Sequence, residues 1–242
     1  MVSTRWVESA DSRDNPVRFI KAFWPDVALY REQRIILESL RDNLETVCVA
    51  GNMLGKDFVA GLAVVHFFLT RHPVRVVTTS ADGYQLEAVL WGEIRRFLQS
   101  ARFPLDSQRG GPVLVNHLHL RKIRDGRVDP LSYVIGRVAA KGEGMLGHHI
   151  ADTGDGIPRT MFVADEASGV DDVSYKRACT WSKRRLIIGN PFPCTNFFFS
   201  AVEGGDLERK PLEYEGVLEG SGGDGTEEAG EATTTTGEVP GG

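Results

Sequence analysis

The chain has 242 residues and a mass of 26.6 kDa, enough for one large domain or two small ones. Hydrophobic residues make up 41% and charged residues 25%, which excludes a fully disordered, collagen-like or coiled-coil protein. The net charge of −5 comes from residues 216–242, so the rest of the chain is nearly neutral and neither predicts nor excludes a nucleic-acid partner.

Residues 1–15 are polar, charged and aperiodic, which predicts a flexible arm. This N-terminus contains no apolar run of signal-peptide length, and the longest apolar run, 58–69, is too short to span a bilayer. The three cysteines form no paired motif and indicate reduced thiols. We therefore expect a soluble cytoplasmic protein with no membrane partner.

Short β-branched runs alternate with longer amphipathic or apolar runs between residues 16 and 205, which is typical of an α/β domain with a mainly parallel sheet covered by helices on both faces. Residues 206–242 are rich in Gly, Thr and Glu and are predicted to be disordered. In chain order, the pattern predicts a helix in 29–41, a strand at 45–50, a helix at 58–69, a strand at 74–79, a helix at 86–101, strands within 113–123 and 131–139, a loop at 141–159, a strand at 160–164, a helix at 170–181, a strand at 185–189 and a helix opening at 196.

A glycine-containing loop joins the predicted strand at 45–50 to the helix that follows it. Glycines let several backbone amides point at one anion, the helix N-terminus adds positive charge, and Lys56 reaches the β- and γ-phosphates of a nucleotide. Two positions depart from the usual phosphate loop: Ala50 replaces the first glycine, and Asp57 replaces the Mg²⁺-binding hydroxyl. The alternative is a strand-to-helix turn with a capping aspartate. The predicted cradle consists of Ala50, Gly51, Asn52, Met53, Leu54, Gly55, Lys56 and Asp57.

A second motif is the apolar strand that ends in Asp165 and Glu166. In a nucleotide site, the first acid holds Mg²⁺ and the second accepts a proton from the attacking water. Asp57 is the second predicted Mg²⁺ ligand, since carboxylate oxygens suit hard cations. The alternative is a strand that ends in a solvated acidic turn. The phosphate loop and the acidic pair together favour a nucleotide site more strongly than either does alone.

Three further polar residues are candidates for the same site. Asn190 follows a buried strand, where its amide is predicted to contact the γ-phosphate or the lytic water; a simple Asn-Pro turn is nearly as consistent with the sequence. Tyr30 and Gln33 precede the first strand. Tyr30 is predicted to stack on adenine and Gln33 to bind its edge, with ordinary surface positions as the alternative for both.

Residues 16–205 resemble the ATPase domain of the large terminase subunit of tailed bacteriophages. The resemblance rests on the order of its motifs, which are 30–33, 50–57, 77–80 with Gln85, 141–148, 164–170 and 188–191. It implies a P-loop NTPase of the additional-strand class that hydrolyses ATP with Mg²⁺ and drives double-stranded DNA into a capsid. It also implies that Glu166 and Lys56 are catalytic and that Asn190 couples hydrolysis to movement. The implied partners are a terminase small subunit, the capsid portal and further copies of the chain in a ring.

Members of this family continue into an RNase H-like nuclease domain, for which this chain leaves no length. Nuclease activity is therefore not expected, and the hypothesis is a truncated or frame-shifted large subunit, encoded by a phage or prophage and located in the bacterial host cytoplasm. Two alternatives stay open: a helicase or translocase ATPase of the same fold, and a nucleotide-binding remnant without turnover.

Overall fold

A computed structural model of the protein describes residues 7–51, 54–138 and 144–203. Strands and helices alternate along most of this part of the chain, as the sequence predicts. The strands are β1 (Glu45–Val49), β2 (Arg75–Ser80), β3 (Val113–Asn116), β4 (His119–Arg124), β5 (Arg127–Val138), β6 (Thr160–Asp165) and β7 (Arg184–Gly189). The α-helices are α1 (Ala10–Asp14), α2 (Pro16–Phe23), α3 (Arg31–Asp42), α4 (Lys56–Thr70), α5 (Trp91–Ser100), α6 (Asp172–Cys179) and α7 (Phe197–Glu203).

The seven strands form one sheet in the order β1–β7–β6–β2–β5–β4–β3. The five strands from β1 to β5 in this order run parallel, whereas β4 and β3 add an antiparallel edge. The prediction of a mainly parallel sheet is confirmed. In parallel strands the carboxyl ends lie along one edge, which is where ligands bind in sheets of this kind.

Both faces of the sheet carry a buried apolar layer, because alternate strand residues point to opposite faces. Val76 and Met161 belong to the larger layer, which packs with α2 to α5. Val77 and Phe162 belong to the smaller layer, which packs with α6, α7 and the loop around Met145. The predicted cover of helices on both faces is therefore confirmed.

Helix α4 is enclosed by the larger layer. Thirteen of its fifteen residues are buried, so it packs on every side instead of presenting one apolar stripe. Its apolar composition fits this central position. The helix follows β1 directly, and its first turn therefore lies at the carboxyl edge of the sheet.

The predicted flexible arm is wrong for residues 10–14, which form α1. The side chain of Ser9 caps this helix, and Ser12 is buried, with its carbonyl oxygen 2.9 Å from Nε2 of His66. Polar residues hide this helix from a periodicity analysis because it docks through backbone groups. Residues 1–6 and the predicted disordered tail, 206–242, lie outside the described residues.

The region 113–123 is a hairpin of β3 and β4 rather than one strand, with a turn at 117–118. Strand β5 begins at Arg127 instead of residue 131, after a second turn at Asp125 and Gly126. Both turn residues have left-handed φ angles, 50° and 74°. An Asp-Gly pair is a strong hairpin signal, so the sequence contained the information for this connection.

A search of the described helices found none that is long and apolar enough to cross a bilayer.

His66 on α4 should make the protein less stable in mild acid. Burial and the nearby Arg71 lower the pKa of His66 to about 3, whereas the unfolded chain has a histidine pKa near ~6.5. Between these values only the unfolded state binds the extra proton, so the free energy of unfolding falls by up to about 1.4 kcal/mol per pH unit as pH drops.

We therefore expect His66→Gln to lose less stability than the unmodified protein between pH 6.5 and 4.5. Denaturant unfolding at several pH values measures this. His149→Gln, which changes an exposed histidine, should follow the unmodified protein. Identical slopes for all three proteins would contradict the assignment.

Candidate nucleotide-binding site

Three strand ends bring the predicted site residues to one edge of the sheet. Val49 of β1 pairs with Gly189 of β7, and Ala164 of β6 pairs with Ile187 of β7. The amide of Ala50 then donates to the carbonyl of Gly189 at 3.1 Å, which fixes the start of the loop beside β7. The loop after β1, the acidic pair after β6 and the polar residue after β7 therefore meet.

The loop enters α4 through a left-handed residue. Gly55 has φ +74°, and a Cβ at this position would lie 2.7 Å from Nε2 of Gln33, so a glycine is required for both reasons. Lys56 is the first residue of the helix and is 6% exposed. Its ammonium group lies beside free helical amides, at the positive end of the helix dipole. Asn52 and Met53 lie outside the described residues, while Leu54 is exposed.

Lys56 and Asn190 converge on Glu166. Nζ of Lys56 lies 3.3 Å from Oε1 of Glu166 and 3.8 Å from Oδ2 of Asp57. Nδ2 of Asn190 donates to both carboxylate oxygens of Glu166, at 3.1 and 2.9 Å. The structure therefore joins residues separated by more than a hundred positions in the sequence, and the amide of Asn190 sets the orientation of the Glu166 carboxylate.

Glu166 adopts a left-handed backbone conformation, with φ 48° and ψ 49°. This region is sparsely populated by residues other than glycine, and such strain is concentrated at functional sites. The amide of Glu166 donates to Oδ1 of Asp165 at 2.9 Å. Turning the chain sharply after β6 gives adjacent residues different roles, with Asp165 buried in the edge and Glu166 partly exposed beside Lys56.

Asp165 is fully buried, and burial together with the charges of Asp57 and Glu166 raises its pKa to about 7. Among the described residues, Oδ2 of Asp165 and Oδ1 of Asp57 are buried without a hydrogen-bond partner. Buried carboxylate oxygens need a partner to offset their lost hydration, and a cation supplies one. The two acids thus fit a bound cation.

The donor set also indicates which kind of cation site this is. The described part of the chain contains no group of three histidine, cysteine, aspartate or glutamate side chains that encloses a metal ion. Mg²⁺ uses one or two carboxylates, together with water and substrate phosphates, rather than a cage made only of protein ligands. Asp57 and Asp165 match that requirement.

Gln33 and Tyr30 have different surroundings. Gln33 is buried, accepts a hydrogen bond from the Tyr30 amide at 3.1 Å and donates to the Gly55 carbonyl at 3.5 Å. Its side chain therefore supports the loop from below, a role that sequence reasoning missed. The signal was a glutamine at the third position of a helix, where it caps the helix start. Tyr30 is 70% exposed. The adenine contacts of both residues stay predictions.

Two solved structures share this fold. The ATPase domain of the Thermus phage P74-26 large terminase superposes with a TM-score of 0.51 and 15% identity, covering 79% of this chain and 76% of that domain. The fold is that of a large-terminase ATPase domain. The large terminase of a second, thermophilic bacteriophage gives a TM-score of 0.50 and 16% identity over 73% of this chain.

The chain matches 42% of the thermophilic phage's large terminase, so it spans less than half of that protein. No family model matches the chain, and neither does a curated protein. At such low sequence identity the likeness establishes the fold, while the function is argued from the arrangement of Lys56, Asp165, Glu166 and Asn190.

Proposed function

We propose that this chain is the ATP-hydrolysing motor domain of a viral DNA-packaging terminase large subunit. The observation that carries the proposal is the contact between Lys56, Glu166 and Asn190, next to the buried and unpaired Asp165. A phosphate-binding lysine, a potential general base, its orienting amide and a cation ligand are the groups that phosphoryl transfer to water requires.

Each residue has a distinct task in this reaction. Lys56 and the amides at the start of α4 bind the β- and γ-phosphates. Glu166 accepts the proton of the attacking water, and Asn190 holds its carboxylate in position. Asp57 and Asp165 would hold Mg²⁺, which neutralises phosphate charge when bound. Tyr30 and Gln33 contact the adenine.

The charge of the site favours a nucleotide that brings its own cation. Three carboxylates, those of Asp57, Asp165 and Glu166, surround a single ammonium group, that of Lys56. A bare triphosphate would meet excess negative charge near its phosphates. We therefore propose that the substrate is the Mg²⁺–ATP complex rather than free ATP.

The proposed partners follow from the resemblance and from the shared fold. They are double-stranded DNA, a terminase small subunit, the capsid portal and further copies of this chain in a ring, all in the cytoplasm of a bacterial host. The two structural neighbours are named as large terminases, which supports this setting. Asn190 is proposed to transmit hydrolysis to movement, because it joins β7 to Glu166.

The function is tested by steady-state ATP hydrolysis with and without linear duplex DNA. We expect Mg²⁺-dependent phosphate release that duplex DNA increases, with no separation of its strands. Strand separation would favour a helicase, and nucleotide binding without phosphate release would favour a remnant; either result would contradict the packaging motor. A fluorescent strand-displacement assay in the same buffer distinguishes the helicase.

A further inference from the structure

The last two residues of β2 are buried hydroxyl residues beside the proposed cation ligand. Ser80 pairs in register with Asp165 of β6, and Thr79 pairs with Ala164. Both side chains are fully buried. Within 7–51, 54–138 and 144–203, neither hydroxyl oxygen has a hydrogen-bond partner. Two such groups at one strand end call for an explanation, because a buried hydroxyl loses its hydration without compensation.

The register places the two hydroxyls on opposite faces of the sheet. Paired residues of adjacent parallel strands share a face, so Ser80 lies on the same face as Asp165. This is the face of Val76 and α4, which carries Lys56. Thr79 lies with Ala164 on the other face, which belongs to the smaller apolar layer. Only Ser80 is therefore placed to act on the nucleotide site.

Asp165 lacks the hydrogen bond that Ser80 is able to give. Its Oδ1 accepts the Glu166 amide, whereas Oδ2 is buried without a partner in the described structure. A donor at Oδ2 would hold the plane of the carboxylate against rotation. Residues that orient a metal ligand in this way are important for metal affinity although they do not touch the metal.

We propose that Ser80 is a positioning residue of the nucleotide site, whose hydroxyl donates to Oδ2 of Asp165, directly or through one water, when the Mg²⁺–nucleotide complex is bound. The inference rests on the proposed function, since Asp165 is the Mg²⁺ ligand assigned there. It adds β2 to the strands that build the site. No reacting atom contacts Ser80, so its removal should weaken Mg²⁺ use and leave the general base in place.

The test is a titration of Mg²⁺ at fixed ATP, with the melting temperature of the protein as the signal. Ser80→Ala should need about 10-fold more Mg²⁺ for half of the full stabilisation, a typical effect for a residue that orients a metal ligand. Thr79→Val is the matched control, because it also removes a buried unpaired hydroxyl at the same strand end. Its Mg²⁺ midpoint should equal that of the unmodified protein.

Two further measurements separate positioning from a role in folding. Ser80→Thr keeps the hydroxyl and should restore the Mg²⁺ midpoint of the unmodified protein. Without ligand, Ser80→Ala should melt no lower than the unmodified protein; a lower value would assign the hydroxyl to the fold and overturn the inference. An unchanged midpoint in Ser80→Ala would overturn it alone, whereas an unmodified protein without any Mg²⁺–ATP response would overturn the proposed function as well.

Discussion

Replacing Glu166 with glutamine is expected to lower the rate of ATP hydrolysis about 100-fold or more, a typical contribution of a general base. Glutamine has nearly the same shape but accepts no proton from water. The Asn190 amide still finds one oxygen at that position, and Lys56 still faces the phosphates, so binding of Mg²⁺–ATP should persist. Single-turnover hydrolysis and a separate binding titration measure the two effects independently.

Glu38→Gln is the matched control, because Glu38 is an exposed acid on α3. It should hydrolyse ATP at the rate of the unmodified protein. If Glu166→Gln retained that rate too, Glu166 would not be the general base, and the contact between Asn190 and Glu166 would have to be explained as a structural one.

Replacing Lys56 with methionine is expected to weaken Mg²⁺–ATP binding about 10- to 100-fold. A hydrogen bond to a charged group contributes about 1.5–3 kcal/mol, and about 1.4 kcal/mol corresponds to a factor of ten in affinity. Methionine keeps the volume of the buried stem, so the loss reports the ammonium group rather than a cavity. Removing that charge also leaves Asp57 and Glu166 without their ion-pair partner, which adds repulsion toward the phosphates.

Isothermal titration of Mg²⁺–ATP measures the affinity, and the melting temperature of each ligand-free protein reports any change in stability. Lys183→Met serves as the control, since Lys183 is exposed and immediately precedes β7, at the opposite edge of the sheet. It should bind the nucleotide like the unmodified protein. Equal weakening in both variants would mean that Lys56 does not contact the phosphates.

The sequence predicted the sheet because its strands are short apolar runs with clear boundaries. The run before Asp165 and the run before Asn190 are buried strands, and glycine or polar residues end both of them. It failed where tertiary contacts decide the structure. Helix α1 depends on the contact of Ser12 with His66, fifty-four residues away, and no local pattern reports such a contact.

The candidate site was predictable in its composition but not in its geometry. Parallel strands end at one edge, so the sequence alone placed Lys56, Asp165 and Asn190 together. The left-handed turn at Glu166 and the support of Gly55 by Gln33 were not predictable. Both depend on how neighbouring strand ends pack, which a reading of one segment at a time does not include.

The central claim is that the carboxyl edge of this sheet binds a Mg²⁺–nucleotide complex between Lys56 and the Asp165–Glu166 pair. Its most direct measurement is the melting temperature of the full chain with Mg²⁺–ATP, with ATP and a chelator, and with Mg²⁺ alone. The account predicts a clear rise with Mg²⁺–ATP and little or none in the other two conditions. The same melting temperature in all three would contradict it.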